Sequence, residues 1–184
     1  MKNKIFLVFV LFSIIGIAQP NWTLKFSSTV EKDGKGLGGA QIAVQKAGAT
    51  VASATSGGNG DFTIDIPPDG DFILVVSYAG CNSKRFRIDT RNVPADMNQD
   101  NFKASIKIEG VTMSKAVPGV NYSALNQPLA LINYVAGKKK FSDDEAFTSQ
   151  NLAALMALRQ QEQIVIDKYN AAIKSGDVSF IFSL

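Results

Sequence analysis

Hydrophobic and polar residues alternate with period two through much of the chain between Trp22 and Glu109. Residues 61–66 are the clearest case, because Phe62, Ile64 and Ile66 alternate with polar residues. Successive side chains of a β-strand point to opposite faces of its sheet, so this pattern predicts strands that are buried on one face. Strands are predicted in this way at residues 22–31, 40–45, 50–55, 61–66, 72–78, 85–89 and 102–109.

Turns rich in glycine and proline separate these strands, and no helical pattern lies among them. Residues 57–60, of sequence Gly-Gly-Asn-Gly, favour the positive backbone φ angles that a hairpin turn requires. Short antiparallel strands bury their apolar faces best as two stacked sheets. The sequence therefore predicts a mainly β fold, a seven-stranded Ig-like or transthyretin-like sandwich over residues 19–110.

The final third of the chain loses the alternation. Residues 111–141 are predicted to form a connector that contains one further strand, at residues 129–135. Residues 142–176 are predicted to form a long helix, since Ser142 and Glu145 have the spacing of a capping box and Gly176 provides a C-terminal stop. Residues 177–184 form a short apolar tail.

This helix and tail carry more apolar surface than one small sandwich can cover. In one interpretation, the helix folds back in pieces onto its own domain. In the other, part of it lies on another protein or on a second copy of the chain. The tail has the same two choices, an edge strand within the chain or an addition to a partner's sheet. The residues predicted to bind a partner are Phe147, Leu152, Leu155, Tyr169, Ile173, Phe180 and Phe182.

The N-terminus has the pattern of a secretory signal peptide. Lys2 and Lys4 precede an apolar stretch from residue 5 to residue 15, and small residues follow at Gly16 and Ala18. Residues 1–18 are therefore predicted to be removed after export. The alternative is a retained membrane anchor, but residues 5–18 are shorter than the roughly 20 residues that a spanning helix needs.

Composition narrows the chemistry of the chain. It contains no His and one Cys, Cys81, which excludes His-based catalytic triads, imidazole zinc sites and an intramolecular disulfide. Lys and Arg number 19 against 16 Asp and Glu, and without Lys2 and Lys4 the balance is 17 against 16. A nearly neutral surface argues against nucleic-acid binding. We expect no catalytic residues, no metal and no cofactor, and no membrane span once the signal is removed.

Several motifs of the sandwich together resemble the carboxypeptidase regulatory-like domain family, over about residues 26–90. The resemblance implies a prealbumin-like sandwich of the kind that serves as an accessory module in bacterial envelope proteins. Two positions depart from the family pattern, with Phe72 in place of a frequent Tyr and Cys81 in place of an aromatic residue. The motifs that carry the resemblance are the strand at residues 38–44, the hairpin at 54–64, the proline turn at 66–70 and the strand at 72–77.

These observations predict a non-catalytic interaction or scaffold protein of the cell envelope. The protein is expected to be exported to the periplasm or to either face of the outer membrane, as an accessory subunit of a protein complex. Its partner is another envelope protein, or a second copy that associates through the C-terminal helix. The alternative is a carbohydrate- or peptide-binding module, for which Tyr78 and Tyr122 are the candidate stacking rings.

Overall fold

The computed structural model describes residues 22–94 and 104–176, which form a β-sandwich followed by one long helix. The predicted signal peptide and apolar tail lie outside the described residues. The strands are β1 Leu24–Lys32, β2 Lys35–Gly36, β3 Gln41–Lys46, β4 Ala49–Thr55, β5 Asp61–Ile66, β6 Asp71–Ser77, β7 Lys84–Asp89, β8 Ala104–Lys107, β9 Val111–Thr112, β10 Leu131–Val135 and β11 Lys140–Asp143. The helix α1 spans Glu145–Ser175, and short 3-10 helices span Ser123–Asn126 and Ala136–Lys138.

The strands form two sheets. In the larger sheet six strands follow the order β11-β10-β7-β6-β3-β4, and β7 and β10 run parallel. The smaller sheet is centred on β1, which pairs antiparallel with β2 and β5 and parallel with β8 and β9. The mainly β sandwich with a long C-terminal helix is therefore confirmed.

The core lies between the sheets and follows the sequence alternation. In β5 the residues Phe62, Ile64 and Ile66 are buried and the residues between them are exposed. Side chains of the larger sheet face them across the sandwich. Ile42 and Leu74 are examples, and both are at most 1 % exposed. Each fully buried side chain of this kind contributes about 1.5–3 kcal/mol of gross stabilisation.

The seven predicted strands are all present between residues 22 and 109, together with the short β2. The sandwich, however, does not end at residue 110. β9 pairs with β1, and β10 and β11 extend the larger sheet beyond β7. The predicted connector over residues 111–141 therefore completes both sheets, and it contains more than the one strand that was expected.

The turn at residues 57–60 also differs from the prediction. β4 belongs to the larger sheet and β5 to the smaller one, so this turn is a crossover between sheets and not a hairpin. Within it only Gly60 has a positive φ, of 87°. A Cβ at Gly60 would collide with the Val30 carbonyl oxygen, and close approach to β1 thus requires glycine at this position.

A network of ion pairs joins β6, β7 and the turn that follows. Arg87 donates two hydrogen bonds to the Asp71 carboxylate, of 2.9 and 2.7 Å. Arg91 donates from Nη2 to Asp89 Oδ2 at 2.6 Å. The hydrogen bond from Arg87 lowers the pKa of Asp71, and that from Arg91 lowers the pKa of Asp89. Both carboxylates therefore stabilise the fold in their charged form.

Candidate protein-binding surface

The helix α1 begins at an N-cap that the sequence did not predict. Asp144 is the N-cap residue, and its Oδ1 accepts a 3.0 Å hydrogen bond from the backbone N–H of Phe147. Ser142 lies in β11, two positions before the cap. The predicted capping box of Ser142 and Glu145 is therefore wrong, because strand pairing with β10 uses the backbone of Ser142. At the other end the prediction is confirmed: Gly176, with φ of 72°, is the left-handed C-cap.

The first half of α1 is attached to the sandwich by its own side chains. Leu158 is 7 % exposed, and Phe147 and Leu155 are half-buried. Asn151 Nδ2 donates to the Pro128 carbonyl at 3.3 Å. These residues recur at intervals of three and four, so they lie on one face of the helix.

Tyr122 links the connector to the middle of the helix. Its hydroxyl accepts a 2.8 Å hydrogen bond from the Val117 N–H and donates one of 2.8 Å to Glu162 Oε1. Burial raises the pKa of the Tyr122 hydroxyl, which keeps it protonated and able to donate. The ring that was proposed to stack on a carbohydrate is thus part of the contact between connector and helix.

A groove of about 500 Å³ separates the middle of α1 from β7 and β9. Its walls are mostly apolar, and Lys84, Arg159 and Glu162 supply the charges. Burial lowers the pKa of Lys84, while the nearby Glu162 opposes that shift. A positive charge at Lys84 is therefore tolerated in the groove at some cost to stability.

A second groove, of about 640 Å³, opens between the β8 and β11 edges of the two sheets. Its base is apolar and includes Phe86, Ile132 and Phe141. The charged residues that line it balance, because two are basic and two acidic. They are Lys107, Lys140, Glu109 and Asp143. Ser142 Oγ lies 3.2 Å from Asp143 Oδ1 at the rim of β11.

Beyond Glu162 the helix continues to its end at Ser175, and residues 163–175 are here called the distal helix. At 1.5 Å per residue it extends about 20 Å. Among the described residues, no hydrogen bond joins it to the sandwich. It nevertheless carries apolar residues on the side of the helix that Leu158 occupies. Ile166, Tyr169 and Ile173 lie within a quarter turn of Leu158 around the helix axis and are 38 %, 39 % and 54 % exposed.

The predicted partner-binding residues thus divide into three groups. Tyr169 and Ile173 are exposed on the distal helix, and Leu152, 53 % exposed, lies on the flank of the attached half beside Met156. Phe147 and Leu155 are half-buried against the chain itself. Phe180 and Phe182 lie outside the described residues. Sequence reasoning did not select Ile164, 49 % exposed, because it falls off the predicted stripe.

The described residues contain no group of three or more His, Cys, Asp or Glu side chains that is able to hold a metal ion. Nor does any helix within residues 22–94 and 104–176 combine the length and the apolar character of a membrane span.

The sandwich matches a known domain family. Residues 27–102 match the family model described as carboxypeptidase regulatory-like domain. This part of the chain is therefore similar to a carboxypeptidase regulatory-like domain, and it is called the regulatory-like domain below. No curated protein sequence matches the chain. Within the regulatory-like domain, Phe72 is 1 % exposed under the Lys46 ammonium, 5.5 Å from the ring centroid, and Cys81 is half-buried. The two departures from the family pattern are thus accommodated.

Solved structures of low sequence identity resemble the chain weakly. The catechol 1,2-dioxygenase of Acinetobacter sp. ADP1 is 14 % identical, with a TM-score of 0.39, over 61 % of this chain and 57 % of the enzyme. A cohesin–X-dockerin complex of Acetivibrio cellulolyticus is 14 % identical, with a TM-score of 0.34, over 50 % and 58 %. The 5-hydroxyisourate hydrolase of Klebsiella pneumoniae is 14 % identical, with a TM-score of 0.30, over 52 % and 93 %. The chain spans less than two thirds of the first two.

Proposed function

We propose that this protein is a non-catalytic interaction and scaffold protein of the cell envelope, an accessory subunit of a periplasmic or outer-membrane complex. In this proposal the regulatory-like domain is the rigid body, and the distal helix binds a protein partner. The signal-peptide pattern of residues 1–18 supports export, and the balance of 17 basic against 16 acidic residues in the remainder argues against nucleic acid as the partner.

One observation carries the proposal, which is the exposed apolar face of the distal helix. An amphipathic helix in water normally turns its apolar face to a core, and α1 does so at Leu158. The same face then continues along the distal helix, where Ala172 is still buried but Tyr169 and Ile173 are 39 % and 54 % exposed. A partner that provides an apolar groove for a helix would complete it.

Burial of these side chains in a partner's groove would contribute substantially to the free energy of binding. Ile166, Tyr169 and Ile173 are each between about a third and a half exposed. Complete burial of a large apolar side chain is worth about 1.5–3 kcal/mol, so covering these three would contribute about 3 kcal/mol. That is enough to raise an affinity more than a hundredfold. Loss of a single one of these side chains should therefore be measurable in binding.

Site-specific photo-crosslinking in intact cells tests the proposal. A photoreactive amino acid at position 169 should give one crosslinked product with an envelope protein. The same group at Asp167, on the opposite side of α1, should give none. Binding of the identified partner, measured with purified proteins, should then fall at least tenfold with Ile173→Lys and stay unchanged with Asp167→Lys. Equal crosslinking at both positions, or at neither, would contradict the proposed binding face.

Export has its own test. N-terminal sequencing of the protein recovered from the cell envelope should give a chain that begins at residue 19. A chain that keeps Met1 and stays in the cytoplasm would refute the envelope setting, while leaving the binding face of the distal helix to be judged by the crosslinks.

A further inference from the structure

The strand β4 is an edge strand without the usual protection against pairing. It is the last strand of the larger sheet, seven residues long, with the sequence ATVASAT. It contains no charged residue and no proline, which are the residues that commonly block sheet edges. Five of its seven residues are exposed, and Val51 is 46 % exposed.

The other edges of the described sandwich are protected. β5, at the edge of the smaller sheet, exposes Asp61 and Asp65. β8 is four residues long and ends in Lys107, and β11 is four residues long and begins with Lys140 and ends with Asp143. β4 is therefore the one edge strand of five or more residues, among those described, that lacks a charge.

The backbone of β4 has groups that no described strand uses. Among the described residues β4 pairs only with β3, in a regular register from Ala52 to Thr55, with a bulge at Val51. Ser56 donates its N–H to the Ala40 carbonyl, so Ser56, Ala54 and Ala52 face β3. In an antiparallel ladder alternate residues face opposite sides, which turns the N–H and C=O of Ser53 away from β3.

We propose that the β4 edge pairs with the β4 edge of a second copy of this chain, antiparallel and centred near Ser53, to form a two-fold dimer. Antiparallel pairing brings the start of one β4 beside the end of the other. β4 itself, of sequence ATVASAT, contains no charged residue. Two-fold pairing thus places Ser53 opposite Ser53 and brings no like charges together along the paired strands.

We propose a second copy of the chain, and not an unrelated peptide, as the partner of the β4 edge because this edge is complementary to itself. Its side chains are all small, and Ala52 and Ala54 already pack against the core, so two edges can approach without rearrangement. The pairing buries less surface than a standard stable interface. A weak dimer that depends on protein concentration is therefore expected. This surface is separate from the distal helix, and the inference does not depend on the proposed function.

Sedimentation equilibrium on the purified protein, from about 10 µM to about 1 mM, tests the inference. The wild-type chain should dimerise within this range. Ser53→Lys should raise the dissociation constant at least tenfold, because it places like charges opposite each other. Thr63→Lys, at an exposed position of the already charged β5, is the matched control and should leave the dissociation constant within twofold of the wild type.

A charge-reversal experiment identifies the pairing as homotypic. Ser53→Lys and Ser53→Glu should each be monomeric, and an equimolar mixture should associate. Ile173→Lys, on the distal helix, should leave the dimer unchanged. The inference is overturned if the wild type stays monomeric at the highest concentration, if the mixture does not associate, or if Ile173→Lys abolishes the dimer. A monomer whose β4 binds only an extended peptide would also overturn it.

Discussion

Leu158 is the residue on which attachment of the helix to the sandwich most depends. It is 7 % exposed, whereas Leu152, earlier on the same helix, is 53 % exposed. Replacement of a fully buried Leu by Ala costs about 2–5 kcal/mol, from lost burial and from the cavity left behind. The grooves of about 500 and 250 Å³ that border Leu158 already admit water. The space left by Leu158→Ala would join these grooves and would not form a closed cavity. We therefore expect a loss of about 2 kcal/mol in the free energy of unfolding, at the low end of that range.

Leu152→Ala is the matched control. It removes the same atoms from the same helix, but about half of the Leu152 side chain is already in water. Ala is also a slightly better helix former than Leu. The loss in unfolding free energy should therefore stay below about 1 kcal/mol.

Urea denaturation gives both free energies, and hydrogen exchange gives the local effect. Amides between Asn151 and Glu162 should exchange about thirtyfold faster in Leu158→Ala, the equivalent of about 2 kcal/mol. Equal losses for Leu158→Ala and Leu152→Ala would refute the described orientation of the helix. So would a loss below about 0.5 kcal/mol for Leu158→Ala, since it would mean that the helix is not held by this side chain.

Three further predictions concern charged residues. Asp89→Asn should destabilise the fold above about pH 4, because Arg91 lowers the folded-state pKa of Asp89 below its ordinary value of 3.8. The wild-type advantage should vanish as the pH falls through that lowered value, in an acid titration followed by circular dichroism with Asp65→Asn as control. Lys84→Met should raise the thermal midpoint at about pH 7, and the gain should shrink as the pH approaches 10.5, since burial lowers the pKa of Lys84 in the folded state. Asp144→Ala should lower the urea-derived unfolding free energy by about 1 kcal/mol through loss of the N-cap.

The strands of the sandwich were predictable because each one is buried on one face. A strand such as β5 must expose every second residue, so its pattern of buried and exposed side chains is written in consecutive residues. The identity of the strands that pair with it, by contrast, is not encoded in consecutive residues. The parallel pairing of β1 with β8 joins Leu24 to Ala104, which lie near opposite ends of the sandwich sequence, and nothing in either segment specifies the other.

β11 was missed because local and long-range signals conflict there. The local sequence, with Ser142 three positions before Glu145, favours a helix start. Strand pairing with β10 prevails because it places Phe141 in the core, where its ring lies 5.7 Å from that of Tyr134 and 6.2 Å from that of Trp22. A single aromatic residue between polar neighbours was the available signal.

The exposed apolar residues of the helix were predicted only in part for a related reason. Periodicity shows which residues share a face, and it placed Leu155, Tyr169 and Ile173 together. It does not show how far along the helix the sandwich reaches. Among the described residues, the last side-chain hydrogen bond between the connector and the helix joins Tyr122 to Glu162. Beyond it Ala172 is still buried, whereas Ile166, Tyr169 and Ile173 are between 38 % and 54 % exposed.

The two proposed surfaces lie on different sides of the molecule, and this has a structural consequence. α1 packs near β7 and β9, and β4 is three strands away from β7 in the order β7-β6-β3-β4. Pairing through β4 would join two six-stranded sheets into one of twelve strands, about 50 Å across at about 4.8 Å per strand. The two distal helices would then project from well-separated places, related by the two-fold axis. Such a dimer can hold two copies of a partner at once, and avidity would offset the weakness of each contact.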